Sequence, residues 1–469
     1  MYQRNPSTQA VPVPLPLRGH FLILFLFFFT AAGLFAAPAT AAEFEHWETE
    51  KGMNVLFAPA PALPMLDVRL LFDAGSSRDG DRGGLARMTN QALAFGTAEL
   101  DADGVAERFE SVGAQFGASA ARDMAVLRLR TLTEPDWMET ALSTFVSLLA
   151  DPAFPEDDLA RARRQTLQAL RQERQEPGTL ASRRFYQLAY GDHPYAAHPL
   201  GTENSIPNLD RDELLRFFQE HYTSRNGVLT MTGDLDLDTA RQISERICAA
   251  LPQGEWMPEL PPITPLTAPV LEHIPFASEQ AHIHMGTPLL RRDDPDRFPL
   301  SLANHVLGGG GFTSRLFREI RNERGLAYSV SSSIVPMSVE GPFVISMQTG
   351  IDQAPLSVEV LHSELRQFIE HGVTEEELAA SKANIIGRFP LSLVSNSEIV
   401  STLAMIGFYN LPLDYLETYT EHVSQVTTKE SRDALQRRLR PEAMVTVIVG
   451  GPEGLFGPDG LAARNPSPE

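Results

Sequence analysis

Cysteine is almost absent from this chain of 469 residues: Cys248 stands alone. A single thiol excludes an intrachain disulfide, so stability must come from core burial. Basic charge is also scarce. The chain has 39 Lys and Arg against 60 Asp and Glu, a net charge of −21 at pH 7. Residues 1–41 hold Arg4 and Arg18 and no acid, so the remainder carries −23. So acidic a surface argues against nucleic acid and against anionic lipid as partners. Charge is missing altogether from residues 21–37 (FLILFLFFFTAAGLFAA), which are apolar apart from one Thr. This run follows Arg18 and precedes Pro38-Ala39-Thr40-Ala41-Ala42, the order of parts in a cleaved signal peptide. It is short for a membrane span, although a retained anchor is the alternative reading. No Cys follows it closely, which argues against a lipoprotein. The expectation is a signal peptide over residues 1–41 and a periplasmic or secreted protein, with no stable membrane insertion after cleavage.

What is present is globular in kind: 43% hydrophobic and 21% charged, in a chain long enough for two to four cored domains. Two halves of similar pattern are visible, 42–251 and 270–451. A proline-rich, aperiodic stretch, 252–269 (PQGEWMPELPPITPLTAP), reads as an extended linker between them. A Gly/Pro-rich tail, 452–469, reads as disordered. Each half opens with a strand, 66–72 (LDVRLLF) and 281–286 (AHIHMG). A charged turn, an apolar helix (84–95 and 299–307) and a small-residue turn follow. Alternation marks a half-buried strand at 124–132 (MAVLRLRTL), with 343–349 in the matching slot. Helical patterns then fill 137–150 and 155–175 in one half, 355–371 and 374–389 in the other. Strands at 227–233 and 444–450 close the halves. The pattern is α+β, repeated once.

The helix at 84–96 reads GLARMTNQALAFG. Its frame is that of a zinc helix bearing H-x-x-E-H. Arg87, Asn90 and Gln91 occupy the three motif positions. Such a helix needs neutral imidazoles at i and i+4 to meet one tetrahedral metal, and a carboxylate between them to take a proton from bound water. Arg87 is a permanent cation, Asn90 is no base, and Gln91 is a poor ligand. The frame is present and its chemistry is absent.

Five further stretches carry a resemblance. They are DAGSSRDGDRGGLA (73–86), DPAFPEDDLARAR (151–163), YGDHPYAAHPLGTENSI (190–206), FFQEHYTSRNGVLTMTGD (217–234) and LGGGGFTSRLFREIRNERGLAYSVSS (307–332). With the zinc-helix frame they resemble the insulinase/pitrilysin-type family of inverted-zincin peptidases, in its processing-peptidase-like branch. The resemblance implies two homologous α/β-sandwich-like domains in one chain, the processing-peptidase/LuxS-like metallohydrolase fold. It also implies pairing of chains around a peptide chamber. The family's third zinc ligand is a Glu about 77 residues past the second His, where Gln168 and Ala169 stand here; Glu173 is the nearest acid. The expectation is therefore no metal and no cofactor in this chain. In the second half the family's frame R-x-x-x-G-L-x-Y is kept as Arg321 and Tyr328. In the family these contact substrate opposite the zinc, and some bacterial members divide the two parts between chains. The resemblance implies that this chain is the non-catalytic, substrate-binding subunit, with zinc in a homologous partner subunit.

Other residues are weighed against plainer readings. Arg321 pairing with Glu319, and Tyr328 filling the core, is the bland alternative to substrate binding. Gly308, Gly309, Gly310 and Gly311 lack the Lys and spacing of a phosphate loop and read as a turn that touches substrate or admits close packing. His282 and His284 share a strand face without a nearby third ligand. His193 and His198 read as loop packing. Asp101, Asp103, Glu107 and Glu110 read as a solvated acidic face. Three functions remain open: the substrate-binding subunit, a self-sufficient metallopeptidase with unrecognised ligands, and a non-enzymatic scaffold of the same fold. N-terminal sequencing of the protein from its native host is expected to find the chain cut near Ala41-Ala42. An intact Met1 in the membrane fraction would instead select the anchor.

Overall fold

The computed structural model describes residues 43–456. The signal segment expected at 1–41 lies outside the described residues. Two sheets organise the chain. The first has β1 (Glu45–Glu48), β2 (Asn54–Pro59), β3 (Met65–Phe72), β4 (Gln115–Ala120), β5 (Ala125–Leu132) and β6 (Gly227–Gly233), in the order β1-β2-β6-β3-β5-β4. The second has β7 (Val270–Ile274), β8 (Gln280–Leu290), β9 (Ser329–Ile334), β10 (Gly341–Gly350) and β11 (Val445–Val449), in the order β7-β11-β8-β10-β9. Without β1 the two orders are the same, strand for strand. Each sheet is antiparallel except at one pair, β2 with β6 and β7 with β11. The fold is α+β, with one topology used twice.

Helices cover each sheet on one face. In the first half these are α1 (Leu85–Ala92), α2 (Ala102–Ser111), α3 (Pro135–Ala150), α4 (Glu156–Glu173), α6 (Arg211–His221) and α7 (Leu237–Ala249). Their apolar residues form one core with the inward residues of the sheet, such as Val68, Leu70, Leu127 and Leu129. In the second half α8 (Arg297–Asn304), α9 (Ala354–His371), α10 (Glu375–Arg388), α12 (Tyr415–Gln425) and α13 (Thr428–Arg438) do the same. Local chemistry fixes several helix starts. Asp210, Thr374, Ser395 and Thr427 each begin a capping box with a Glu three residues on.

The remaining two helices are exchanged between the halves. Helix α5 (Pro177–Tyr190) belongs to the first half by sequence but packs on the second sheet. There Ala181, Phe185 and Ala189 meet Val445, Val447 and Val449 of β11. Helix α11 (Asn396–Phe408) belongs to the second half and packs on the first sheet, with Ile399, Leu403 and Ile406 against Leu56 and Ala58. Gly407 permits that approach, since a Cβ there would sit 2.6 Å from Val228 Cγ1. Burial on both faces explains why β11 is the unbroken apolar run VTVIV. A buried carboxylate also joins the halves. Asp123 accepts hydrogen bonds from the Tyr195 hydroxyl, the Tyr409 hydroxyl (2.9 Å) and the Ser338 amide (2.9 Å).

Three sequence expectations change. The helix expected at 299–307 begins at Arg297 and passes at His305 into a wide π-helical turn through Gly309. The 252–269 stretch forms no helix or strand, but it is not free: Leu260, Ile263 and Leu266 pack against the α5–β11 cluster. The tail placed at 452–469 is ordered at its start. Leu455 and Phe456 pack on the second core, with the Phe456 ring 5.3 Å from that of His273. Residues 457–469 lie outside the described residues.

The exchange makes the halves mutually dependent. Urea unfolding is expected to give one transition, with fluorescence (Trp47 and Trp137 lie in the first half) coinciding with far-UV circular dichroism. Phe185→Ala, a deletion in the second sheet's cover, should lower stability by about 3–5 kcal/mol in both signals. A fluorescence transition unmoved by Phe185→Ala would show independent halves.

Candidate functional site

Two centres occupy matching places in the repeat. The first is built on α1. Its start is held by Asp79, whose carboxylate accepts the Gly84 and Ala86 amides at 2.7 Å each. Leu85, Ala86, Met88 and Thr89 face the core, and Arg87 faces solvent. Asn90 is only 1% exposed. Its amide donates to the Tyr222 hydroxyl at 3.0 Å, and Tyr222 itself stacks on Phe218. The residue at the motif's carboxylate position is thus committed to core packing. Gln91 is half-buried, and Gln168 is exposed on α4.

The acid that does face Arg87 is Glu173, at the last position of α4. Burial raises its pKa, while Arg183 and Arg87 act to lower it. His198 stands beside it, with Nε2 3.6 Å from a Glu173 carboxylate oxygen. Burial, and then Arg183, Arg122 and Arg87, push the His198 pKa down to about 4, so the ring is neutral at pH 7. A neutral imidazole and one carboxylate are two donors, one short of the three protein ligands of a catalytic zinc site, and a metal ion there would face three arginines. Among the described residues no group of three or more His, Cys, Asp or Glu is placed to hold a metal. This donor set does not fit zinc. His282 and His284 lie on β8 beneath α5, and they too gain no third ligand.

The second centre follows α8. The wide turn His305–Gly309 leads into the short helix Gly311–Thr313, and a second wide turn spans Phe317–Glu323. Wide turns of this kind gather at functional positions. Gly308 lies against β9, where a Cβ would meet the Ser332 amide nitrogen at 2.5 Å. Gly309 and Gly310 fold back on Asn304 and His305, and Gly311 takes a left-handed φ of +62°. The run therefore serves close packing and delivers Phe312 to the surface, 78% exposed.

Arg321 lies on the second wide turn, and Tyr328 directly precedes β9. The Arg321 guanidinium carbon is 4.6 Å from the Phe317 ring centroid and 5.5 Å from that of Tyr328. Phe312 meets Phe317 edge to face at 4.9 Å. Tyr328 is 73% exposed, so it does not fill the core. Glu319 pairs with Arg318 at 3.2 Å, and Arg321 has no ion-pair partner among the described residues. The guanidinium lies over the faces of both rings and makes no side-chain hydrogen bond among the described residues. The family's R-x-x-x-G-L-x-Y frame pointed to Arg321 and Tyr328, and Glu173 stood out only as the nearest acid to the third-ligand position; Phe312 and Phe317 were missed. The exposed aromatics had a visible signal in GGFTSRLF, two phenylalanines beside a glycine run.

A doubled sheet topology, with a zinc-type helix that lacks its ligands, defines a two-domain peptidase-like protein with a degenerate metal position. The chain belongs to the insulinase family: the model for Insulinase (Peptidase family M16) matches residues 55–203, and that for the Peptidase M16 inactive domain matches residues 208–385. It is 38% identical to the peptidase M16 inactive domain from Pseudomonas fluorescens, a solved structure, with a TM-score of 0.84 over 87% of this chain and 98% of that one. It is 28% identical to a non-peptidase homolog of Helicobacter pylori over 84% of this chain and 91% of that protein. The periplasmic protease PqqL of Escherichia coli shares the fold alone. The TM-score is 0.75 at 16% identity, over 88% of this chain and 46% of that one.

Elemental analysis of the purified chain is expected to find no stoichiometric zinc. One tightly held zinc per chain would overturn the assignment of the first centre.

Proposed function

We propose that this insulinase-family chain is the non-catalytic, substrate-binding subunit of a heterodimeric peptidase, exported to the periplasm or secreted. Its partner is a homologous chain carrying the intact zinc motif, and its substrate is a peptide. The observation that carries this reading is the contrast between the two centres. Arg87, Asn90 and Gln91 are unfit for metal, whereas the half-buried Arg321 and the exposed Tyr328 stand together beside Phe317. Peptide hydrolysis builds negative charge on the scissile carbonyl oxygen. A guanidinium and a phenol aimed at that oxygen stabilise it, and neither needs to share a chain with the metal. The zinc of the partner would supply polarisation of that carbonyl. This chain would supply binding, orientation and the two donors. The acidic charge of the chain supports a peptide rather than a nucleic acid as ligand. Export is supported by the order of parts in residues 1–41 and by the fold shared with a periplasmic protease.

Co-expression with a zinc-motif homologue from the same host is expected to give a 1:1 complex that cleaves a quenched fluorescent peptide. In that complex Arg321→Ala or Tyr328→Phe should lower kcat by about 10²-fold or more, with assembly and thermal melting unchanged. Arg321→Lys should rescue poorly, since an ammonium lacks the planar fork. A partner fully active alone that forms no complex would defeat the subunit reading. A complex indifferent to all three changes would assign the chain to a scaffold role.

A further inference from the structure

The face of the first sheet opposite α1 is covered by α11 over β2, β6 and β3 only. Beyond the helix lies a cavity of about 280 Å³ whose lining includes Asp67, Arg69, Gly117, Arg128, Arg130 and Ser397. The strand register explains this concentration of charge. Asp67 pairs across with Arg130 and then Gln115; Arg69 pairs across with Arg128 and then Gly117. Alternation places all six on one face of the sheet. Asp67 is fully engaged, accepting from Arg130 Nε at 2.9 Å and Nη2 at 3.2 Å. That leaves Arg69 and Arg128 directly opposed, with neither an ion pair nor a hydrogen bond among the described residues. Like charges at directly opposed positions are destabilising. Burial, then Arg128, push the Arg69 pKa below its usual value. Asp67 offsets part of this, but three guanidinium groups against one carboxylate in a concavity, on a chain of net charge −21, are a local reversal of sign.

We infer that this cavity binds the carboxylate of an acidic side chain on the peptide held by the chain. The inference rests on the peptide-binding reading above and names a preference within it. The strand β4 is the last in its sheet, so its outer edge has no strand beside it among the described residues. Gly117 leaves that edge low, and the Arg128 guanidinium lies over it. A Cβ on Gly117 would be 3.8 Å from Arg128 Nε and 3.9 Å from Nη2. An extended segment along the edge turns every second side chain to the arginine face. A Glu or Asp there meets two planar forks suited to bidentate pairing.

The test is calorimetric titration of a blocked, extended heptapeptide with a central Glu, and of its Gln twin. Both go into the chain alone and into its complex with the zinc-motif partner. The Glu peptide is expected to bind at least tenfold more tightly, and the preference should shrink with added salt. Arg69→Met with Arg128→Met, which keeps the apolar stems, should abolish the preference and leave Gln-peptide binding unchanged. The Arg69→Lys/Arg128→Lys variant should retain part of it. Equal binding of the two peptides would overturn the inference and leave the peptide reading standing. Binding of neither peptide would overturn both. Inorganic phosphate should compete with the Glu peptide and not with the Gln peptide. Phosphate binding without any Glu preference would assign the cavity to a free anion and overturn the inference.

Discussion

The exchange of α5 and α11 is the constraint on which the rest of the structure depends. Each sheet has a helical core on one face, and its other face would be left as exposed valines and leucines. One helix from the opposite half covers the apolar part of that face. The domain boundary visible in sequence is therefore not a boundary of stability. Asp123 strengthens the join at a single buried carboxylate, drawing donors from the loop after α5, from the approach to β10, and from the end of α11. Two of its three partners, Ser338 and Tyr409, come from the second half, so the full set forms only when the halves are docked.

With the halves fixed, the two centres differ by charge and by burial. In the first, Asn90 is tied to Tyr222 in the core, and Arg87 shares a polar neighbourhood with Glu173, His198 and Arg183. Burial first, and then the three arginines, hold the His198 ring in its neutral form at pH 7. In the second, Arg321 is kept near the surface by stacking instead of by a counter-ion. A guanidinium that lies over aromatic rings keeps its hydrogen-bonding edge available to a ligand.

Much of the site was legible in the sequence because its signals are local. The GLARMTNQALAFG frame located α1, and a permanent cation at position 87 is visible there as a residue unsuited to a metal ligand's place. The R-x-x-x-G-L-x-Y frame shared with the family pointed to Arg321 and Tyr328 as a pair. Glu173 was harder, since it lies five residues past the expected ligand position and joins the first centre only through the packing of α4 beside α1. The wide turns were also hidden. They occur where the glycine run packs on β9 and where Arg321 meets its aromatic neighbours, contacts that have no period in sequence.

Although β1, β2, β4, β7 and β9 were not read from it, the sequence by itself determined the repeat, its more strongly patterned strands and helices, and the loss of the metal's ligands. These follow from hydrophobic period and from residue chemistry, which act over a few neighbouring positions. Tertiary structure alone decided which sheet each exchanged helix covers, that Tyr328 is exposed, and that Arg69 faces Arg128. In LDVRLLF and MAVLRLRTL the arginines alternate with apolar residues in two separate strands. Only the register of β3 on β5, 59 residues apart at Arg69 and Arg128, makes them opposed charges. Pairing between distant segments is set by packing of the whole chain, and a sequence read locally does not contain it.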